Sequence, residues 1–217
     1  MCYSERSSII TFFSGMGLTL YLFFKGNKYE KHLSIFAFVF IQMQLAEYLM
    51  WKDQKCNKTN HYATIYAHFI LLFQPISILL GGLYLKTFDI NKNYIYLGLL
   101  ITLIPLVEVI ILYLKNTKQL CSLEEEKGYL EWNFVDGTSE EWKNHHIWIY
   151  GIFIFLPWIF MKDKFYGILS LVILLATLLL SFNNNIPTIN RFEQWESKWC
   201  YGSVLYPLIF VVLKLLQ

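Results

Sequence analysis

The side chains able to do chemistry are few, and they sit inside apolar segments. Glu47 follows Gln44 by one turn on the same helical face. His68 and the Gln74-Pro75 pair share one long apolar run. Glu108 lies in the next run, three residues after Pro105, and His145-His146 flank the start of a further one. A carboxylate in hydrocarbon must be protonated, paired or close to water, so Glu47 and Glu108 are candidates to carry charge or protons. Proline lacks an N–H and frees a backbone carbonyl one turn earlier, so helices broken at Pro75 and Pro105 can offer oxygen ligands to a site. Gln44, Glu47, His68, Gln74 and Glu108 are therefore expected to line one polar chamber. A metal set of His68, His146 and Glu108 or Glu47 is the alternative, since zinc takes three protein ligands plus water. Adjacent on a helix, His145 and His146 point about 100° apart and make poor co-ligands. Plainer roles remain open. Glu47 can snorkel to the membrane interface, His68 and Gln74 can bond across helices, and His145-His146 can be loop residues.

The composition says what holds these groups. Of 217 residues, 56% are apolar, 18% aromatic and only 16% charged, whereas an ordinary soluble domain has about 25% charged residues. Seven apolar runs are separated by short charged connectors: Ser8–Phe24, His32–Trp51, Tyr62–Leu85, Asn93–Leu114, Trp142–Met161, Phe165–Phe182 and Lys198–Leu216. Hydrocarbon forces backbone polar groups to pair within their own helix, so the expected fold is all-α, a polytopic membrane bundle of seven transmembrane helices in a single domain. This layout excludes a soluble enzyme, a disordered chain and a coiled coil. The net charge of +2 has no basic patch behind it, so nucleic acid is not an expected partner. The first run reads as an uncleaved anchor. The fifth is the weakest, because its uncharged core, Ile147–Met161, covers only about 22 Å at about 1.5 Å per residue. A capping box of Thr138 and Glu141 would lengthen it. In the long loop 115–141, Ser122 and Glu125 form a second box that predicts a short helix over Leu123–Leu130, and Asp136-Gly137 marks a turn. Asn190 and Glu193 form a third, ahead of Phe192, Trp195 and Trp199 at helical spacing, which predicts an interfacial helix entering the seventh span.

Three signals orient the bundle. The positive-inside rule, applied to the short connectors, leans to an N-terminus outside. Cys2, Cys56, Cys121 and Cys200 then all fall on the outer side, where an oxidising compartment permits disulfides. Asn57-Lys58-Thr59, a glycosylation acceptor pattern, falls there too. The expected location is an integral membrane protein of an endomembrane, plasma or viral membrane, with the N-terminus outside or luminal and the C-terminus cytosolic. Four cysteines allow three pairings; Cys56–Cys121 would tie the long loop across the bundle and is preferred, with Cys121–Cys200 next. Trp51, Trp132, Trp142, Trp148, Trp195 and Trp199 crowd the same side, as an aromatic belt or as the cap of a pocket.

Seven spans, with a cysteine before the third facing one in the next outer loop, resemble a class A G-protein-coupled receptor, but the likeness stops there. Span three ends Tyr84-Leu85-Lys86-Thr87 without Asp-Arg-Tyr, and Tyr206-Pro207 is not Asn-Pro-x-x-Tyr. Lys214 lies too near its helix end to hold retinal as microbial rhodopsins do. The last span lacks the histidines of ceramidase-like hydrolases, and Phe13-Ser14-Gly15 is not the rhomboid Gly-x-Ser-x-Gly. Gln44, Glu47, Trp51, Cys56, Asn57, Asn60 and Gln74-Pro75, with Glu196, Trp199 and Cys200, give a sequence similar to uncharacterised multi-pass proteins of large DNA viruses. That resemblance implies a multi-pass membrane protein and no activity. No motif names a cofactor or an oligomeric state. The leading expectation is a protein that binds or passes a small solute, ion or proton through an outward-facing chamber. A metal-dependent intramembrane lipid hydrolase comes second, and a non-catalytic membrane or envelope component that binds a partner through its outer loops third.

Overall fold

The computed structural model describes residues 4–115, 118–124, 130–132, 134, 140–182 and 202–216, leaving aside the side chains of 140–145, 147, 181 and 182. Among these residues there are seven α-helices: α1 (Glu5–Lys25), α2 (Lys28–Lys52), α3 (Lys58–Leu85), α4 (Lys92–Lys115), α5 (Glu140–Ile159), α6 (Lys164–Phe182) and α7 (Gly202–Leu215). Four of them, α1 to α4, are long and apolar enough to cross a membrane. The last three carry shorter apolar stretches, Trp148–Ile159, Lys164–Leu180 and Gly202–Leu215. The expected starts at Thr138 and Lys198, the Asp136-Gly137 turn, the Asn190–Trp199 helix, Cys2 and Cys200 lie outside the described residues.

Local chemistry sets the helix ends. The Ser4 hydroxyl accepts from the Ser7 N–H and caps α1. At the start of α2, Asn27 and Glu30 form a reciprocal capping box: the Asn27 side chain accepts from the Glu30 N–H at 3.0 Å, and Glu30 accepts from the Asn27 N–H at 2.7 Å. Lys86, with φ 55°, closes α3 in the left-handed conformation, its N–H bonding to Gly82.

At the connector end of the bundle, polar groups tie the helices together. The α3–α4 and α5–α6 connectors pair through an antiparallel bridge, Phe88 to Met161. Asp89 N–H donates to Phe160 O at 2.7 Å, and Lys162 N–H to Thr87 O at 2.8 Å. His32 of α2 is fully buried, with Nε2 2.7 Å from Ile78 O and Nδ1 2.7 Å from the Thr87 hydroxyl. A carbonyl can only accept, so Nε2 carries the proton and Nδ1 accepts from Thr87. Gly81 makes room for this ring, since a Cβ there would lie 2.6 Å from His32 Cδ2. Beside it, the buried Glu30 Oε2 accepts from Lys214 Nζ at 2.9 Å, and Tyr166 donates to Oε1 at 3.4 Å. This links α2, α6 and α7. The apolar core lies between these ties: Phe36 and Phe40 of α2 pack with Trp158 and with Tyr206 and Phe210 of α7. On the other flank α1 approaches closely at Gly15, where a Cβ would fall 2.3 Å from Ile41 Cδ1.

One expected element is corrected. The two described ends of the expected 123–130 helix are strands instead: Leu123–Glu124 (β1) pairs antiparallel with Leu130–Glu131 (β2), Leu123 opposite Glu131. The reason is that Ser122, the expected cap, is already committed. Its N–H donates to Asn60 Oδ1 at 2.8 Å, its carbonyl accepts from Asn60 Nδ2 at 2.7 Å, and its hydroxyl lies 2.9 Å from that of Thr64. The chain is thereby held extended along α3.

Glu30 is buried but Lys214 is partly exposed, so losing the pair costs a charge-assisted hydrogen bond rather than stranding a buried charge. Glu30→Gln is expected to lower stability by on the order of 2 kcal/mol, read as a lower unfolding temperature in detergent.

Candidate functional site

Three helices bring polar side chains to one interface. α3 contributes His68 and Gln74, α4 contributes Glu108 and Tyr113, and α5 contributes His146 and Tyr150. His146 and Tyr150 lie one turn apart and so share a face of α5. His146 Nε2 sits 2.9 Å from Glu108 Oε2. His68 Nδ1 sits 2.9 Å from the Tyr113 hydroxyl. One turn towards the connector end, the Tyr150 hydroxyl donates to Gln74 Oε1 at 2.5 Å. Gln74 is fully buried, and its Nε2 has no hydrogen-bond partner among the described residues. The Glu108 side chain is 45% exposed and that of His146 only 11%.

Of the five residues expected to share a chamber, three lie on α3 and α4 and two on α2. His68, Gln74 and Glu108 belong to the α3–α4–α5 interface, each bonded to a different partner. Gln44 and Glu47 are fully buried on α2, on the helical stripe that continues from Phe36 and Phe40. Glu47 therefore does not snorkel to an interface. Among the described residues no three of His, Cys, Asp and Glu come together to hold a metal ion. Of the expected set, His68 turns to Tyr113 while His146 and Glu108 turn to each other.

Tyr113 and Tyr150 escaped the sequence reading. Tyr150 carried a signal, its spacing one turn from His146, but with 15 tyrosines in the chain no single one stands out.

A strap covers the disulfide end of α3. Cys56 and Cys121 are joined, with Cα atoms 5.3 Å apart, as preferred from the sequence. Asn60 is buried beside the bridge; its Nδ2 donates to Asp53 O at 2.8 Å as well as to Ser122 O. The His61 ring accepts from the Leu120 N–H at 3.0 Å, and Gln54 accepts from the Glu124 N–H at 2.7 Å. Gln119 donates to the Cys56 carbonyl. Thus anchored, the strap packs Trp132 against α2 and α3 and stacks the Phe134 ring on His68, centroids 4.4 Å apart. Asn57 stands at the N-cap position of α3 without a side-chain cap bond and is exposed, but the amide nitrogen that a glycan would take donates to Asp53 Oδ1 at 2.9 Å.

Set against known proteins, the chain matches no family model, no curated protein and no solved structure. Its chemistry must therefore be judged from its own side chains. The three pairs place a carboxylate, two imidazoles, two phenols and an amide on one interface of α3, α4 and α5. Such groups can bind a proton or a small cation, and a carboxylate–imidazole pair can share a proton between its members.

Asp53 offers a pH test of the strap. Desolvation alone would raise its pKa, but N–H groups of Asn60, Asn57 and Lys55 outweigh it and hold the carboxyl below the usual range. A depressed folded-state value contributes stability that is fully present above the unfolded value, about 3.9, and is lost as pH falls through the folded value. The unfolding temperature is expected to fall below about pH 4. In Asp53→Asn it is expected to start lower near neutral pH and to change less on acidification.

Proposed function

We propose that this is an integral membrane protein that binds or passes a proton, a small cation or a small solute, with Glu108 and His146 as the exchanging pair. All seven helices would cross the bilayer, the N-terminus lying outside or in a lumen and the C-terminus in the cytosol. The observation that carries the reading is the 2.9 Å contact between Glu108 and His146, about 10 Å below the end of α4 at about 1.5 Å per residue. A carboxylate at that depth needs a partner that can share its proton, and imidazole titrates in the physiological range. His68–Tyr113 and Tyr150–Gln74 add further polar groups on the same three-helix interface. The disulfide supports the proposed orientation, because such bonds persist in oxidising compartments. The likeness to multi-pass proteins of large DNA viruses adds no activity to this reading.

The test is reconstitution into proteoliposomes with a pH-sensitive dye inside and an imposed pH gradient. Wild-type protein is expected to dissipate the gradient. Glu108→Gln is expected to abolish the flux while leaving expression and helix content intact, and His146→Ala to reduce it at least tenfold. Flux unchanged in Glu108→Gln would overturn the assignment.

A further inference from the structure

Glu108 faces the surface of the bundle at a place where its neighbours are apolar. On α4, Leu97, Leu100, Ile104 and Ile111 are all exposed, and they recur at helical spacing along the side of Glu108. The opposite side of the helix, with Gly98, Thr102, Pro105 and Val109, is buried. Between Lys92 and Lys115 the helix has no other charged residue. From the disulfide end the approach is covered differently: Tyr113 bonds to His68, and Phe134 stacks on that ring. The half-exposed carboxylate thus stands beside an apolar helix face, while His68 is covered towards the strap by Phe134.

We infer that the Glu108 site is loaded sideways from the lipid and takes an organic cation with an apolar tail. The inference rests on the proposed membrane placement and deepens the proposed function by naming the ligand class and the side of entry. Charge complementarity sets the head group. His146 occupies Oε2, and the carboxylate has a second oxygen to offer an ammonium group. The tail follows from the exposed α4 stripe, which gives an alkyl chain a surface parallel to the acyl chains. A small hydrated cation would gain nothing from that stripe and would have to shed its water in hydrocarbon. A neutral amphiphile would gain nothing from Glu108.

Carbodiimide labelling tests this without measuring transport. A carboxylic acid adds across one C=N bond of a carbodiimide, and the adduct rearranges to a stable N-acylurea detectable by peptide mass. The full chain is placed in phosphatidylglycerol nanodiscs, one copy per disc. The lipid-soluble dicyclohexylcarbodiimide is expected to modify Glu108 and to leave the fully buried Glu47 unmodified, while a water-soluble carbodiimide modifies neither. Dodecyltrimethylammonium is expected to slow Glu108 labelling at least fivefold, whereas dodecanol and tetramethylammonium do not. Equal labelling by the water-soluble reagent, or no labelling by the lipid-soluble one, would overturn sideways loading. Protection by dodecanol alone would overturn recognition of a cation, and protection by tetramethylammonium would overturn the need for a tail. A protein that fails the flux assay yet passes here keeps the site. One that conducts protons yet shows no protection loses only this ligand.

Discussion

The structure depends on a shortage of water. A helix as apolar as α3 or α4 leaves its few polar side chains with only one another and stray backbone carbonyls for company. Each must therefore meet a partner on a neighbouring helix, and those meetings dictate how the helices are arranged. α3 is the common partner. At one end Asn60 takes hold of Asp53 and Ser122, and at the other Ile78 O receives His32. Between them His68 and Gln74 reach α4 and α5. Apolar packing fills the space around these contacts but has little power to choose among rotations of a helix that is greasy on every side.

That property also explains how far the sequence could be read. The helices were legible because largely apolar runs of 17 to 24 residues admit no other backbone arrangement in hydrocarbon. The Cys56–Cys121 bond was legible because it joins two segments that the bundle brings to the same end. Which way a side chain faces was not legible, since facing is read from contrast between polar and apolar positions, and here the contrast is faint. Glu47 and Glu108 looked alike, each an acid inside a span. The fold buries the first against the core and leaves the second half exposed at the side of α4. Glu30 was passed over although Asn27 and Glu30 have capping-box spacing; its pairing with Lys214 joins residues far apart in the chain and leaves no local trace. Ser122 misled for a related reason. Its spacing to Glu125 suits a helix cap, but Asn60 competes for the same backbone groups and wins.

The α2–α3 pair and the strap carry much of the polar bonding, while α4 and α6 present long apolar faces. The molecule is therefore stiff along one side and smooth along the other. The Glu108–His146 contact lies at the seam, joined to the stiff side through His68 and Gln74 and open to the smooth one.

The bridge between Phe88 and Met161 fixes the hairpins α3–α4 and α5–α6 to each other at their tips, far from that seam. It acts as a pivot. Glu108 stands about 24 Å from the start of α4 at about 1.5 Å per residue, so a tilt of about 5° there carries the carboxylate about 2 Å. A hydrogen bond does not survive a stretch of that size. Rotations too small to disturb the packing beside the pivot are thus large enough, at the far end of the lever, to make or break the contact between α4 and α5.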